Sequence, residues 1–551
     1  MAVVENSEYA RRNWLQFESQ FPDLAPRIRR LLNLAIEGDS LQTLAPDGAS
    51  IITMAQPGTN HDRKRGRGVY DNSWWLTLEV GRPLASQFGI DGLLPMIIAT
   101  DDSANSAQLV QHFRRMARNV DTDNDIAILI ADVGGLKAAI PQADRRIVHL
   151  TPDELAENSA PIRHHLAAAV KSADYFLRMK ALESEDDFFG RREVLREIES
   201  TLLIDRQNVA IYGLRKAGKS SALNISRVAL RGRGVATGSL DFSRRINDDL
   251  PALRLAVLRQ LLQAMHATSR FSHNVVPAGL SDEIQNLKPP LTGTYFGDLL
   301  TRLVACSPER PVVLFVDETD LSLPPLSAVA SPGSMDARRE RLGLLYELRG
   351  LTQEEPTLSG QLLFGFAGIN RALTESTNLW GEDNYLYSFA RSIALRPLER
   401  HAVANLVRQL GKRSGLTFPD HRSVDLLHGM YGGHPFLIRH ACSIAAARAR
   451  TGSLGEAVPF PISHEAVRAA VELRGEKSTH KEVREILRSL YKYNPYRLLE
   501  VLDHIDSAST PLSAEALSFA NRYALLDEEG GVTLRAMTTL TKEEIEGQVD
   551  V

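Results

Sequence analysis

Residues 211–223 read IYGLRKAGKSSAL, and this stretch decides the fold of the largest part of the chain. Gly213 is followed by four residues and then by Gly218, Lys219 and Ser220, which satisfies the pattern GxxxxGK(S/T). Apolar residues before Gly213 predict a strand, and the residues after Lys219 predict a helix. Because the pattern also arises by chance in loops rich in glycine and lysine, this strand and this helix are what make the prediction specific.

A strand, a glycine-containing loop and a helix in this order form a binding site for a polyphosphate. The glycines let the backbone curl with its N–H groups pointing inward, and the beginning of the helix adds the positive end of its dipole. Lys219 can reach the β- and γ-phosphates, and the Ser220 hydroxyl can bind Mg²⁺. The loop residues expected to contact the phosphates or the metal are Gly213, Lys216, Ala217, Gly218, Lys219, Ser220 and Ser221.

An acidic strand end lies downstream of this loop. The segment PVVLFVDETD occupies residues 311–320, and its apolar run predicts a buried strand that ends at Asp317 and Glu318. Asp317 can hold Mg²⁺ directly or through water, and Glu318 can orient or deprotonate an attacking water. A strand ending in acidic residues is common by itself, so its position after a phosphate loop is what favours the catalytic interpretation.

A third strand is predicted in residues 360–373, and Asn370 and Arg371 stand at its end. Either residue could sense the γ-phosphate if this strand lies beside the phosphate loop. An asparagine at a strand end is often only a turn former, so that interpretation stays open for Asn370.

Composition and charge limit the class of protein. The 551 residues are too many for one core and indicate about three or four domains. The net charge of −4 shows no global basic excess for nucleic acid, although a local patch could still bind it. Cys306 and Cys442 lie in apolar contexts without metal spacing, so we expect buried free thiols in a reducing cytosol. No apolar run approaches the roughly 20 residues that span a bilayer, which favours a cytoplasmic protein without a membrane partner.

The chain before the phosphate loop predicts separate modules. Residues 1–44 carry apolar residues at helical spacing and form an N-terminal helical segment. Residues 45–155 alternate apolar runs with helical patterns, which predicts a small α/β domain with a partly parallel sheet. Residues 156–185 predict a linker helix.

Two features of residues 45–155 have an ordinary structural explanation. The basic stretch HDRKRGRG at 61–68 could contact phosphates, but a solvated loop is favoured. Four aspartates could suggest a metal or nuclease site, but no complete carboxylate–lysine constellation accompanies them, and strand-end aspartates commonly serve turns. These aspartates are Asp101, Asp102, Asp125 and Asp132.

Four motifs in one order resemble the STAND group of AAA+-related ATPases, a class of signalling switches that includes bacterial regulators and innate-immune receptors. FFGRREVL at 188–195 resembles the motif that begins these ATPase domains, and the phosphate loop and LFVDETD at 314–320 follow it. GGHPFLIRHACSIA at 432–445 resembles the GxP motif of their helical lid. The first and last motifs are weak individually, whereas the four in order are specific, and the similarity covers residues 186–475.

This resemblance implies an α/β fold built on a P-loop NTPase parallel sheet. The P-loop ATPase domain would occupy residues 186–400, a helical lid domain 401–478 and a C-terminal winged-helix-like domain 479–551. The small N-terminal α/β domain would precede them. The implied cofactors are ATP or ADP and Mg²⁺.

The resemblance also implies site residues outside the phosphate loop. Gly190 and Arg191 would lie near the adenine or the phosphates, and Pro435 would help to close the lid over the base. His434 or Arg439 would contact the β- or γ-phosphate, and a role of His434 as a helix cap is equally open.

The chain departs from the family pattern in an insertion after the acidic strand. Its arginines Arg338, Arg339 and Arg341 could reach the nucleotide of a neighbouring subunit, but a solvated helix face is favoured. The second helix of the winged-helix-like domain, residues 513–526, carries Arg522 as its only basic residue. That composition argues against reading of a DNA groove by this helix.

The leading hypothesis is an ATP-driven conformational switch in signalling or antiviral defence. ADP would hold the module closed, exchange to ATP after a protein trigger would allow self-association, and slow hydrolysis would reset the switch. Residues 45–155 would be the effector or sensor.

The alternative is a DNA-acting AAA+ ATPase similar to origin-recognition or transposition regulators, which would bind duplex through its winged helix. The near-neutral charge and the weakly basic second helix disfavour it. A small-molecule kinase is also disfavoured, because such an enzyme would rarely need the lid and the terminal module.

Overall fold

The structure, a computed structural model, falls into two compact units. The first contains Met1–Arg178, Val407–Asp420 and Ala446–Ala466, and the second contains the rest of the chain. The basic stretch 61–68 and three of the four aspartates lie outside the described residues, and the fourth, Asp132, is exposed. The described residues are 2–55, 73–99, 126–132, 146–182, 185–269, 275–324, 332–451 and 459–546, apart from gaps at 38–39, 44, 46–47, 89, 91–92, 158–160, 173, 178–180, 419, 476, 508–510 and 528–530.

Two helices and a hairpin begin the first unit. The apolar spacing that predicts a helical segment produces α1 (Ala2–Gln20) and α2 (Ala25–Leu32), which bury Trp14, Phe17 and Ile28. The hairpin pairs β1 (Leu34–Glu37) with β2 (Ser40–Thr43).

A mixed sheet follows in the same unit. Its strands are β3 (Ala49–Ala55), β4 (Ser73–Val80), β5 (Leu94–Ala99), β6 (Ile126–Ala131) and β7 (Arg146–Leu150), in that spatial order. The first three pair antiparallel and the last three pair parallel. β5 and β6 are buried along their whole length, which explains their continuous apolar sequence. The prediction of a small α/β domain with a partly parallel sheet is therefore confirmed. The remaining helices here are α3 (Arg82–Phe88), α4 (Pro152–Glu157) and α5 (Ile162–Ser172).

A fully parallel sheet forms the centre of the second unit. Its strands are β8 (Asn208–Tyr212), β9 (Ala236–Asp241), β10 (Val312–Asp317), β11 (Leu362–Gly368) and β14 (Ala390–Ala394), in the order β14-β8-β11-β10-β9. All neighbouring pairs are parallel, so the carboxyl ends of β8, β11 and β10 share one edge. Ligands of such sheets bind at this edge. A short antiparallel pair, β12 (Asn378–Leu379) and β13 (Glu382–Asp383), precedes β14.

Helices of the second unit accompany this parallel sheet. Leu258, Phe296 and Leu345 are buried residues of these helices that form one core together with strand residues. The helices are α6 (Arg192–Leu203), α7 (Lys219–Gly232), α8 (Leu250–Thr268), α9 (Ala278–Asn286), α10 (Gly293–Val304), α11 (Pro332–Glu354) and α12 (Ala372–Glu375).

The segment after β14 is helical. It contains α13 (Arg400–Arg413), α14 (His421–Tyr431), α15 (Pro435–Thr451) and α16 (His464–Val471). Two short strands within it, β15 (Leu416–Thr417) and β16 (Phe460–Pro461), pair parallel.

The C-terminal module, residues 479–546, has a winged-helix layout. Three helices, α17 (Thr479–Tyr491), α18 (Pro495–Asp506) and α19 (Ala514–Arg522), precede an antiparallel bridge between Leu526 and Val532. The predicted fold class is thus confirmed: a P-loop-type parallel sheet with a helical segment and a winged helix behind it. No helix among the described residues is long and apolar enough to cross a membrane. The last helix is α20 (Lys542–Glu546).

Candidate nucleotide site

The phosphate loop, residues 213–220, joins β8 to α7 with two residues in the left-handed backbone region. Lys216 has a φ of 61° and Gly218 a φ of 108°. The positive φ of Gly218 disfavours a side chain there, and an added Cβ would lie 2.9 Å from Nη1 of Arg191, so that this guanidinium would have to shift. Loops of this kind direct N–H groups into a concave surface that binds anions. α7 begins at Lys219 and adds the unpaired N–H groups of its first turn.

The Lys219 side chain is folded back into this loop. Its Nζ donates to the carbonyl oxygens of Gly213 at 3.0 Å and Leu214 at 2.9 Å. Burial lowers the pKa of Lys219, and the surrounding carboxylates, first of all Asp320, oppose that shift. Backbone carbonyls are weak partners for an ammonium compared with phosphate oxygens, so Lys219 can exchange them for a triphosphate.

The acidic strand end meets the phosphate loop through Ser220. The Ser220 hydroxyl lies near enough to the carboxyl group of Asp317, the last residue of β10, to affect its pKa. Burial raises the pKa of Asp317, and the Ser220 hydroxyl works against the shift. The structure therefore brings together the two side chains that the sequence predicts as magnesium ligands.

Glu318, the residue after Asp317, has an unusual backbone conformation. It is exposed and has a φ of 55°, which costs a non-glycine residue about 1–2 kcal/mol. Its N–H donates to Oδ1 of Asp317 at 2.9 Å. The pKa of Glu318 is raised. The first cause is the loss of water around its carboxyl group, and the second is the charge of Asp317. Strained residues of this kind are concentrated at functional sites.

The donor set fits a magnesium–nucleotide complex. The carboxyl groups of Asp317, Glu318 and Asp320 lie near the ammonium of Lys219, as does the guanidinium of Arg215. Carboxylate and hydroxyl oxygens are the ligands that a hard divalent cation prefers. Ser220 and Asp317 could hold Mg²⁺, and the loop N–H groups could hold the phosphates.

Asn370 stands just beyond β11, between the carboxyl ends of β8 and β10. Its N–H donates to Oδ1 of Asp320 at 2.6 Å, and its own Oδ1 accepts from the N–H of Ala372 at 3.0 Å. The asparagine thus forms a turn at the same edge as the phosphate loop. Arg371 pairs instead with Glu375 at 3.1 Å.

Arg191 lies beneath the phosphate loop. It is only 5% exposed, donates to the carbonyl of Ala217, and donates to the carbonyl of Arg396 at 3.0 Å. Burial lowers its pKa to about 10. Arg191 therefore supports the loop backbone. Gly190 has a φ of 67°, and a Cβ there would lie 2.5 Å from the Cβ of Ala402.

His434 joins α15 to the phosphate loop. Its Nδ1 accepts from the N–H of Leu437 at 3.4 Å, so Nε2 carries the hydrogen and donates to the carbonyl of Arg215 at 3.1 Å. Burial lowers the pKa of His434 to about 3, and the ring is neutral. Both nitrogens are engaged, so a phosphate contact would have to replace one of these bonds. Pro435 begins α15, and Arg439 lies half-buried along it.

Two other residues of the predicted loop set face neighbouring segments. Lys216 forms an ion pair with Glu482 of α17 at 2.7 Å, and its Nζ lies 4.0 Å from the ring centroid of Phe436. The Ser221 hydroxyl accepts from the N–H of Leu182 at 3.1 Å. The outer side of the loop therefore contacts both α15 and the C-terminal module.

The interpretation of the α11 arginines as a solvated face is wrong for two of the three. Arg338 is 5% exposed and Arg341 is 1% exposed. Both donate to backbone carbonyls of the turn after β10: Arg338 to those of Asp320 and Leu323, and Arg341 to that of Leu321. A buried guanidinium needs such acceptors. Only Arg339 is exposed, with its guanidinium 5.2 Å from the ring centroid of Trp380.

Asp320 and Glu482 are site residues that the sequence analysis missed. Asp320 could have been suspected because it lies only three residues beyond Asp317 at an acidic strand end. No sequence signal identifies Glu482, because its partner Lys216 lies 266 residues away.

No family model matches this chain, and no curated protein matches its sequence. Solved structures give weak similarities. A Walker-type ATPase of Pyrococcus abyssi is similar at 15% identity and a TM-score of 0.39, over 66% of this chain and 99% of that one. The ORC2 protein of Aeropyrum pernix, in ADPNP and ADP complexes, is similar at 16% identity and a TM-score of 0.37, over 67% of this chain and 95% of that one.

The ORC1 protein of Aeropyrum pernix, solved in complex with DNA, is similar at 16% identity and a TM-score of 0.33, over 67% of this chain and 86% of that one. At TM-scores below 0.5 these similarities do not determine the function of this chain, which has to be inferred from its own residues.

Proposed function

We propose that this chain is a magnesium-dependent ATPase whose nucleotide site is coupled to its C-terminal module. One observation carries the proposal: the loop that starts α7 at Lys219 follows β8, and Asp317 ends β10 at the same carboxyl edge of the parallel sheet, with the Lys219 ammonium folded into the loop. Such sheets bind ligands at this edge, and the phosphate loop, the proposed metal ligands Ser220 and Asp317, and a cation would meet there.

The residues divide the chemistry among them. Bound Mg²⁺ would neutralise charge on the phosphates. Ser220 and Asp317 would hold the metal, the loop N–H groups would bind phosphate oxygens, and Lys219 would move from the carbonyls of Gly213 and Leu214 onto the terminal phosphates. Glu318 accepts a proton from the attacking water, whose oxygen bonds to the γ-phosphorus as the bond to ADP breaks. The raised pKa of Glu318 lies closer to neutral pH than that of an ordinary glutamate, which makes its carboxylate a stronger base.

Calorimetric titration with ATP and Mg²⁺ tests this assignment. We expect Lys219→Ala to weaken binding by about 100-fold, because a charge-assisted contact to phosphate is lost. Lys288→Ala, which removes an exposed lysine elsewhere in the unit, should bind like the wild type. Failure of the wild type to bind any nucleoside triphosphate would overturn the proposal.

Contacts with the C-terminal module support the coupling. Besides Lys216 and Glu482, the Tyr523 hydroxyl donates to the carbonyl of Ile369 at 2.7 Å, and Arg522 pairs with Glu375 at 3.2 Å. These contacts are made with the phosphate loop and with the segment after β11. A nucleotide that moves either segment would therefore change the stability of these contacts with the C-terminal module. By linkage, release of the module would change the affinity for nucleotide by the same factor.

The output of this coupling has two candidate forms. In the STAND-type switch, exchange of ADP for ATP after a protein trigger opens the module and leads to self-association, with slow turnover and residues 45–155 as effector or sensor. In the DNA-acting alternative, the released C-terminal module binds duplex. Arg522, the basic residue of α19, is engaged by Glu375, so duplex binding by this helix would require that pair to open.

Light scattering with ADP and with a non-hydrolysable ATP analogue distinguishes the two forms. The switch predicts a nucleotide-dependent increase in mass without DNA, absent in Lys219→Ala. The alternative predicts that duplex is needed for assembly and that binding to duplex weakens steeply with salt. Duplex binding that is independent of nucleotide would contradict the coupling itself.

A further inference from the structure

Asp320 is a buried acid to which the proposed chemistry assigns no step. Its side chain is 2% exposed in the turn that follows β10. Its Oδ2 accepts the N–H of Ile369 at 2.7 Å, and its Oδ1 accepts the N–H of Asn370 at 2.6 Å. One carboxylate therefore joins the turn after β10 to the end of β11.

The backbone around Asp320 is held equally closely. Its carbonyl accepts from Nη1 of Arg338 at 3.1 Å and from the Tyr493 hydroxyl at 3.4 Å. The preceding Thr319 donates its hydroxyl to the carbonyl of Ala367 at 3.0 Å. At Gly368 an added Cβ would lie 2.6 Å from Oγ1 of Thr319. The turn and the end of β11 are thus fitted together without room for a side chain between them.

The carboxylate also faces the reacting region. Among the groups around Lys219, Asp320 is the acid that most strongly favours the charged ammonium. The other titratable groups facing it are Glu318 in the same turn, Tyr212 of β8, and Lys492, Tyr493 and Tyr523 of the C-terminal module. Each oxygen of Asp320 already accepts a backbone N–H. Its remaining influence on the site is therefore one of position and charge.

We propose that Asp320 is a positioning residue that holds Glu318 and Asn370 in one fixed arrangement opposite Lys219. This inference rests on the proposed ATPase function. Glu318 stands two residues before Asp320 in a strained conformation, and the N–H of Asn370 donates to the carboxylate of Asp320, so a displacement of Asp320 would disturb both. A misplacement of about 1 Å in such an arrangement costs about 100-fold in rate.

The variant that tests the proposal is Asp320→Asn, which keeps the shape of the side chain but can accept only one of the two N–H groups. We expect kcat for ATP hydrolysis to fall about 100-fold while the dissociation constant for the non-hydrolysable analogue stays within about 3-fold. A residue with a merely structural role would not separate the fall of kcat from binding in this way.

Asp241→Asn is the matched control. Asp241 ends β9 opposite Asp317, and its carboxylate bonds to Ser243 rather than to β11. Asp241 is another acid close to Glu318, so its removal takes away a charge of the same sign and should leave kcat within about 3-fold. A fall of kcat as large as that of Asp320→Asn would show that charge alone is responsible and would overturn the positioning role.

Hydrogen exchange gives a measurement that does not depend on activity. The peptide covering 362–371 should lose protection at Ile369 and Asn370 by about 10-fold or more in Asp320→Asn, and not in Asp241→Asn. Unchanged protection, or loss of affinity in proportion to kcat, would each contradict the proposal. A wild type that binds no nucleotide would refute the ATPase function, while the exchange result would still report on the link between Asp320 and β11.

Discussion

Lys219 and Lys216 stand three residues apart in the phosphate loop, yet their side chains meet different chemistry. Lys219 points inward, bonded to two loop carbonyls and surrounded by carboxylates. Lys216 points outward, paired with Glu482 and lying over the ring of Phe436. The inner side of the loop carries the groups that we propose bind nucleotide, whereas the outer side contacts α15 and the C-terminal module. Under the proposed function, one loop would bind nucleotide and hold the C-terminal module at the same time.

The inner side should show the largest effect. We expect Glu318→Gln to reduce ATP hydrolysis by about 10²–10⁴-fold, because the amide cannot accept the proton of water. Wild-type hydrolysis should also fall on acidification as Glu318 becomes protonated, and the raised pKa means that this fall begins at a higher pH than for an ordinary glutamate. Binding of the ATP analogue, measured by calorimetry, should be retained. If binding of the analogue is lost together with hydrolysis, Glu318 contributes to binding ATP and not only to its hydrolysis.

Gly433 should show the next largest effect, on folding. It has a φ of 75°, and an added Cβ would lie 2.0 Å from the carbonyl oxygen of Leu398. We expect Gly433→Ala to lower the free energy of unfolding by about 3 kcal/mol or more, measured by urea denaturation. Gly429→Ala is the control, because it lies inside α14 with open space around it and should be neutral or stabilising by about 0.5–1 kcal/mol. Equal effects of the two substitutions would show that the contact with Leu398 is not close.

His434 predicts a dependence on pH. Its pKa is lowered from 6.5 to about 3 in the folded chain, so below about pH 6.5 the unfolded chain binds a proton that the folded chain does not. Wild-type stability should therefore fall with decreasing pH by up to about 1.4 kcal/mol per unit more than that of His434→Asn, which retains a capping side chain. Parallel curves for wild type and His434→Asn would mean that this ring is protonated in the fold.

The outer ion pair should show the smallest effect. A double-mutant cycle with Lys216→Ala and Glu482→Ala should give a coupling free energy of about 0.5–1 kcal/mol, because the two side chains are 31% and 20% exposed. The coupling, measured from unfolding free energies, should shrink in high salt. Strictly additive effects would show that this ion pair does not couple the phosphate loop to the C-terminal module.

Much of the fold follows from local sequence patterns. The apolar runs of β8, β10 and β11 and the glycines of the phosphate loop are short-range signals, so strand, loop and helix could be predicted in order. That the strands pair in the order β14-β8-β11-β10-β9 was not predicted, because the pairing joins residues far apart in the chain.

The roles of the buried polar residues could be predicted less well. Arg338 and Arg341 look like a charged surface in sequence, because periodicity does not reveal that a neighbouring turn offers carbonyl acceptors. Asp320 looks like one acid among several until the N–H groups of Ile369 and Asn370 are seen to end on its two oxygens. Burial and partner geometry, rather than residue type, distinguish these side chains from solvated ones.

The sequence by itself therefore determined the phosphate loop, the acidic strand end and the kind of domain that carries them, because backbone conformation and apolar burial depend on residues close together in the chain. Only the tertiary structure decided that Lys216 faces Glu482, that neutral His434 supports the loop and that Asp320 joins two strand ends. Those choices depend on which buried donors and acceptors meet across separations of as many as 266 residues, and a hydrogen bond or ion pair of that kind leaves no periodic trace in the chain.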